Sequence, residues 1–181
     1  MWIILIVVLV LLVLYVVKTY NSLVVSRNKV RDQFSQIDVQ LKKRFDLIPN
    51  LDETVKGYAK HECETLESVI QARNNYANAK TDAEKLEASK DMSRGVMNIM
   101  ALAESYPDLK ANTNFVDLQN QLKDVEEKIS YARQFYNDSV LMYNNKVEMV
   151  PSNIVASIFG FKKESFFEAD EKERENVKVK F

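Results

Sequence analysis

The chain opens on an unbroken apolar run, residues 1–17 (MWIILIVVLVLLVLYVV), and then changes to a mixed pattern in which apolar positions recur at helical spacing. At 1.5 Å per residue the run spans about 25 Å, near the lower limit for crossing a bilayer core. Trp2 and Tyr15 stand near its ends, while Lys18 can snorkel and Tyr20 can lie among headgroups, which supplies the missing few ångströms. No basic segment precedes the run and no Ala-x-Ala site follows it, so the pattern predicts a retained transmembrane anchor over residues 1–19.

Beyond the anchor, Leu23, Val30, Phe34, Ile37, Leu41, Phe45 and Ile48 form one face of an amphipathic helix. Pro49 removes a backbone donor and disfavours helical geometry at Ile48, so this first helix is expected to end or kink there. A second stripe runs through Leu51, Val55, Tyr58, Ala59, Cys63, Leu66, Val69, Ile70 and Ala77. Thr81 or Asp82 can cap a third helix that buries Ala83, Leu86, Met92, Val96, Ile99, Met100 and Ala103 and closes at Pro107. Asn114 is the expected cap of the last helix, whose apolar positions 115, 118, 122, 125, 129, 132, 136, 140, 143, 147 and 150 step by alternating threes and fours. The predicted class is all-α: an N-terminal transmembrane helix followed by an antiparallel up-and-down four-helix bundle over residues 20–150, an amphipathic segment at 151–163 and a charged tail at 164–181.

Composition narrows the function classes. Three glycines in 181 residues argue against a phosphate cradle or a β-sandwich, both of which need glycine for tight turns and close backbone approach. Lys and Arg number 25 against 26 Asp and Glu, so no basic face for nucleic acid follows from the total. Charge is uneven locally, however. Residues 18–45 carry seven cations (Lys18, Arg27, Lys29, Arg31, Lys42, Lys43, Arg44) and two anions (Asp32, Asp38). By the positive-inside tendency this places the N-terminus outside and the bundle in the cytoplasm, and Cys63, the single cysteine, suits a reducing compartment.

Catalytic patterns fail one by one. His61-Glu62 begins like a helical zinc motif, but position 65, where the second ligand must stand, is Thr. Bundle metal sites use Glu-x-x-His pairs, and Tyr58 occupies the place of the Glu. Glu62, Glu64 and Glu67 have no nucleophile or oxyanion donor beside them and read as a solvated face. No catalytic residue, cofactor or metal ligand is expected.

Two other features carry more information. Tyr-Asn occurs at 20–21, 136–137 and 143–144, the last two one heptad apart. Tyr136, Asn137, Tyr143 and Asn144 therefore line one edge of the last helix, where partly buried amides fix register or bind another helix, and Asp38 and Arg73 can meet such a layer. The second feature follows Pro151. Ile154, Val155, Ile158, Phe159 and Phe161, then Lys162 and Lys163, form a short apolar segment with a lysine pair. If four helices alternate in direction, it returns to the membrane and meets lipid; the alternative is a flap over the end of the bundle. Residues 164–175 hold six acids and two bases, and the closing VKVKF (177–181) alternates like a strand.

YNSLVVSRNKV (20–30), SQIDVQLKKRFDLIPNL (35–51), ETVKGYAKHE (53–62), YPDLKANTNF (106–115) and ARQFYNDSVLMYNNKVEMVPSNIVASIFGF (132–161) resemble the LemA family of bacterial membrane proteins over almost the whole chain. Small departures are Gln33-Phe34 in place of Ala-Trp, Asp52 in place of an aliphatic residue and Val150 in place of Phe before Pro151. The resemblance implies one spanning helix, a cytoplasmic helical bundle, no catalytic activity and, as a partner, a membrane metalloprotease of the heat-shock type. Together the two lines of argument lead to a single-pass scaffold or adaptor of the bacterial inner membrane, homo-oligomeric and lipid-bound. The contrasting expectations are a protein that senses or shapes the bilayer and a bundle enzyme that binds metal.

Overall fold

The computed structural model describes residues 1–59 and 62–167, apart from the side chains of Cys63 and Ala83. Its regular elements are all helices: α1 (Trp2–Lys56), α2 (Cys63–Asn78), α3 (Asp82–Ala103), α4 (Pro107–Lys110), α5 (Thr113–Glu148) and α6 (Ser152–Ile158). The all-α class expected from the periodicity stands. Residues 177–181, with their strand-like alternation, and His61 lie outside the described residues.

Of the two outcomes expected at Pro49, an end or a kink, the end is excluded: Pro49 lies inside α1. Proline at this position deprives the Phe45 carbonyl, one turn earlier, of its helical partner, at a cost of about 3 kcal/mol in a helix interior. Arg73 of α2 fills the vacancy: its Nε donates to Phe45 O at 3.3 Å, and its guanidinium lies 4.0 Å from the centre of the Phe45 ring. With that acceptor satisfied the helix continues to Lys56, and Gly57 and Tyr58 form the turn that follows it. The second apolar stripe is thus divided: Leu51 and Val55 belong to α1, while Leu66, Val69, Ala72 and Tyr76 form the buried side of α2. Tyr58 and Ala77, expected in that stripe, are exposed.

Thr81 caps α3 through a complete capping box with Glu84. At Gly95 a Cβ would stand 2.8 Å from Val69 Cγ2 and 3.3 Å from Val69 Cα, so glycine is what lets α3 approach α2. A correction comes at the start of α5. Asn112, not Asn114, is its cap, with Oδ1 accepting the Phe115 amide at 3.0 Å, and Asn114 is already helical. Along α5 the seam is as expected from Phe115 through Ile129 and again at Tyr136, Val140 and Tyr143, all buried, whereas Val150 is exposed beyond the helix end.

The chain divides into two units, one of Met1–Gln36 with Ala132–Phe167, the other built on Ile37–Tyr131. In the second, hydrogen bonds set the directions of four helical segments. Asp38 and Phe45 of α1 meet Tyr76 and Arg73 of α2, so that pair is antiparallel. Asp38 and Arg44 meet Lys85 and Ser89 of α3, a parallel pair. Tyr58 and Arg44 meet Asn112 and Glu126, which makes α5 antiparallel to α1. Arg44 is wholly buried: Nη1 donates to Glu126 Oε1 at 2.7 Å and to Ser93 Oγ, and Nη2 to Ser89 O at 2.8 Å. One guanidinium thus joins three helices, and a buried charge of this kind is costly to leave unpaired.

The accommodation of Pro49 is open to a double-mutant cycle. Arg73→Met should lower stability by about 1 to 3 kcal/mol, the cost of orphaning a buried carbonyl. In a Pro49→Ala background the restored amide at 49 satisfies Phe45 O, and the same change should cost less than about 1 kcal/mol, the lost stacking alone. Equal losses in the two backgrounds, measured by urea melts, would separate Arg73 from the proline.

Candidate functional site

The candidate site lies in the first unit, where the end of α5, α6 and residues 161–167 gather beside the early turns of α1. Within this unit α1 and α5 run antiparallel: Lys146 Nζ donates to Ser22 Oγ at 2.9 Å and to Ser26 Oγ at 2.6 Å, and the Phe34 and Tyr136 rings meet edge to face at 6.0 Å. Helix α6 is amphipathic. Val155 and Ala156 are buried, whereas Ile154 and Ile158 are 59% and 72% exposed. Gly160, at φ +69°, ends it. The Phe161 amide reaches back to Ala156 O at 2.9 Å and the Gly160 amide to Ser157 O at 3.3 Å, the Schellman pattern that a left-handed glycine permits.

Tyr20, three residues past the apolar run, packs edge-on against Phe159 at 4.8 Å and Phe161 at 5.6 Å. The segment after Pro151 therefore lies beside the end of the apolar run. Its members do not behave alike. Ile154, Ile158 and Phe159 are exposed, but Phe161, expected among them, turns inward beneath Arg27, whose guanidinium sits 5.0 Å from its ring. Lys162 is exposed, and Lys163 pairs with Glu148.

After Phe161 the chain runs along α5, and the two Tyr-Asn pairs hold it. Asn144 Nδ2 donates to Glu164 O at 2.9 Å and Asn144 Oδ1 accepts the Glu164 amide at 3.0 Å. One heptad earlier, Asn137 repeats both bonds on Phe167, at 2.9 and 2.8 Å. Tyr143 Oη donates to Lys162 O at 2.8 Å and Tyr136 Oη to Ser165 O at 3.0 Å. Seven residues of helix advance about 10.5 Å, so the three residues between successive rungs cover about 3.5 Å each, the rise of an extended chain. The segment runs antiparallel to α5. All six bonds go to its backbone; among its side chains, Phe167 is buried, with the Arg133 guanidinium 4.1 Å from its ring.

Burial pushes the Tyr143 phenol above its usual range, and the negative charge of Glu164 adds to this, against the opposing influence of Arg27 and Arg31. The phenol therefore stays a neutral donor to Lys162 O.

All four Tyr and Asn residues singled out from the heptad spacing share one face of α5, but Asp38 and Arg73 do not join them. Asp38 accepts from Tyr76 and Lys85, both at 3.1 Å, and Arg73 is engaged at Phe45. The partner of the amides is the chain's own backbone. Spacing alone did not show this; the signal available was that Tyr-Asn repeats once per heptad, as a ladder for an extended strand requires. Arg44 and its partners were missed altogether. Of the acidic residues, Glu62 accepts from Tyr106 Oη at 3.2 Å, while Glu64 and Glu67 are exposed. Among the described residues no group of three or more His, Cys, Asp or Glu is placed to hold a metal ion.

Comparison with known proteins adds a family. The model of the LemA family matches residues 33–181. Protein LemA of Metamycoplasma hominis is 28% identical over 160 residues, which cover 87% of this chain and 72% of that protein. Magnetosome protein MamQ 2 of Paramagnetospirillum magneticum is 30% identical over 70 residues, 39% of this chain and 26% of its own length. Magnetosome protein MamQ of Magnetospirillum gryphiswaldense is 30% identical over 69 residues, 38% of this chain and 25% of its own.

Removing a rung should release the segment. Asn144→Ala deletes a donor and an acceptor at once, so the Glu164 amide should lose its protection from hydrogen exchange and stability should fall by about 1 to 3 kcal/mol. Alkali should act through Tyr143. Its folded pKa lies above the unfolded value near 10, so the folded state keeps a proton that the unfolded chain releases, and stability is lost progressively as pH rises from about 10. In Tyr143→Phe the fall in urea-melt stability between pH 8 and 11 should be shallower; an identical fall would exclude the phenol as a source.

Proposed function

The chain belongs to the LemA family, and from that premise we propose that it is a single-pass, non-catalytic scaffold or adaptor anchored in the bacterial inner membrane, with the N-terminus outside and the helical domain in the cytoplasm. Helix α1 is long and apolar enough to cross a membrane, and its side chains from Trp2 to Tyr15 are all exposed. Left in water that surface would be a large unpartnered apolar patch, and a bilayer is the environment that suits it. The net positive charge that follows the run supports the orientation.

The observation that carries the reading is the contact of Tyr20 with Phe159. It sets α6 beside the end of the apolar run, so that with the run across the bilayer Ile154, Ile158 and Phe159 would enter the headgroup region. Lys162 adds attraction to anionic lipid of about 1 kcal/mol per charge. Anchor and α6 together would give the domain a second point of attachment and a fixed attitude to the membrane, which a platform for other membrane proteins needs. A membrane metalloprotease is the partner that the family resemblance suggests. The shared stretch in proteins named for the magnetosome also suits a module used in more than one setting better than an enzyme tied to one substrate. The same exposed residues favour a second reading, in which α6 senses or shapes the bilayer.

A spin label on Ser157→Cys, in a Cys63→Ser background reconstituted in vesicles, tests the placement. The label should collide more often with a lipid-soluble quencher than with a water-soluble one; access from water alone would overturn the docking of α6. For orientation, a cysteine at position 2 should react with an impermeant reagent from outside intact cells, and one within 164–175 should not.

A further inference from the structure

We propose that the Tyr-Asn ladder of α5 is a binding site for an extended peptide backbone, and that the occupant it takes in exchange for its own residues 162–167 is the same segment of a second copy of this chain. This goes beyond the lipid-contact reading and requires only that two copies lie in one membrane.

Three observations carry it. The site reads main chain: two Asn side chains each grasp both the amide and the carbonyl of one residue, and two Tyr hydroxyls each take a carbonyl. Such contacts do not distinguish which copy of the chain supplies the backbone. The identical segment also brings Phe167 to the Arg133 guanidinium in the same register. The segment leaves α6 through Gly160, which has φ +69° and nothing within 4 Å of where a Cβ would stand, so the backbone can turn another way there, drawing Phe161 from beneath Arg27 as it goes. Finally, the segment begins next to Phe161, which packs on Tyr20 three residues past the apolar run, so copies anchored by that run in one bilayer would present ladder and segment at the same height. Confinement to that plane raises the effective concentration of each segment for its neighbour's ladder.

The reach is sufficient. Lys162 lies two residue steps beyond Gly160, a reach of about 7 Å, so it can move between positions about 14 Å apart on either side of the pivot. Packed helices lie about 8 to 10 Å apart. Two copies with their α5 helices adjacent can therefore exchange segments reciprocally, a closed and self-complementary pair.

The test uses two full-length chains, both Cys63→Ser, mixed in vesicles. One carries Gln134→Cys beside the ladder, with its own segment disabled by Glu164→Pro and Phe167→Pro, which remove the two amides that Asn144 and Asn137 accept. The other carries Phe166→Cys on an intact segment. A short bifunctional thiol reagent should join the two chains, with a yield about tenfold above that obtained when the second chain also carries the two prolines. A single chain bearing Gln134→Cys and Phe166→Cys with an intact segment should cross-link within itself, which checks the geometry and the fold. If that internal product forms but no product joins the two chains, the exchange is wrong. A joined product whose yield ignores the prolines in the second chain is collision without docking and overturns it too. If the vacated ladder binds a synthetic peptide of residues 161–167 while the chains never join, the second-copy occupant is excluded and the ladder belongs to another protein's extended strand.

Discussion

The course of α1 depends on one carbonyl. Pro49 leaves Phe45 O without its helical donor, and Arg73 supplies one from the neighbouring helix. Had the helix ended at 49, the residues after it would have had to turn back at once, and Leu51 and Val55 would sit on a different element. Instead they stay on α1, fully buried, and the turn is deferred to residues after Lys56. The count of long segments in the second unit remains four because the break moves without vanishing. The return of α5 alongside α1, which the parity argument needed, survives for the same reason.

The heptad of α5 serves two surfaces. From Phe115 to Ile129 it builds a seam of ordinary apolar contacts. Beyond Ala132 the same period places Tyr136 and Tyr143, then Asn137 and Asn144, one above another. Tyrosine fills the seam with its ring and reaches past it with its hydroxyl, while Asn has a donor and an acceptor on one planar group, which is what a peptide unit's amide and carbonyl require. An extended chain advances three residues for each heptad, so one helix face and one strand stay in register over two rungs. Met149 and Val150, exposed past the end of α5, play no part in either surface.

How much was legible in the sequence follows from which forces are local. The seam of α5 from Phe115 to Ile129 and the Thr81 cap are short-range patterns, and each stands where the spacing put it; the apolar run is a short-range pattern too and is helical. Whether Pro49 would end the helix could not be read locally, because its penalty is offset by a residue 24 positions away, and no local rule contains Arg73. Asn112 and Asn114 are equivalent caps by type; only the position of Phe115, buried three residues after Asn112, separates them. Arg44 reads in sequence as one of a run of surface cations, Lys42, Lys43 and Arg44, yet it is wholly buried because Ser89, Ser93 and Glu126 converge on it from two other helices. The amides at 137 and 144 were visible as special, but their partner, an unpatterned stretch of backbone, carries no side-chain signal at all.

The segment from 154 to 167 shows why its residues had to be divided between two environments. On α6 a 3.6-residue period turns Ile154 and Ile158 out while Val155 and Ala156 face in. Gly160 then ends that period, and in the extended chain the side chains no longer follow it. Phe161 and Phe167 go inward, each meeting an arginine, while Lys162, Lys163 and Phe166 face outward. The seven residues that read in sequence as one amphipathic patch are thus divided between two short structures joined at a glycine. The first offers an apolar face at the foot of the anchor, and the second offers its backbone to α5. The division falls at Gly160, where the left-handed backbone (φ +69°) closes the helical period and opens the extended one.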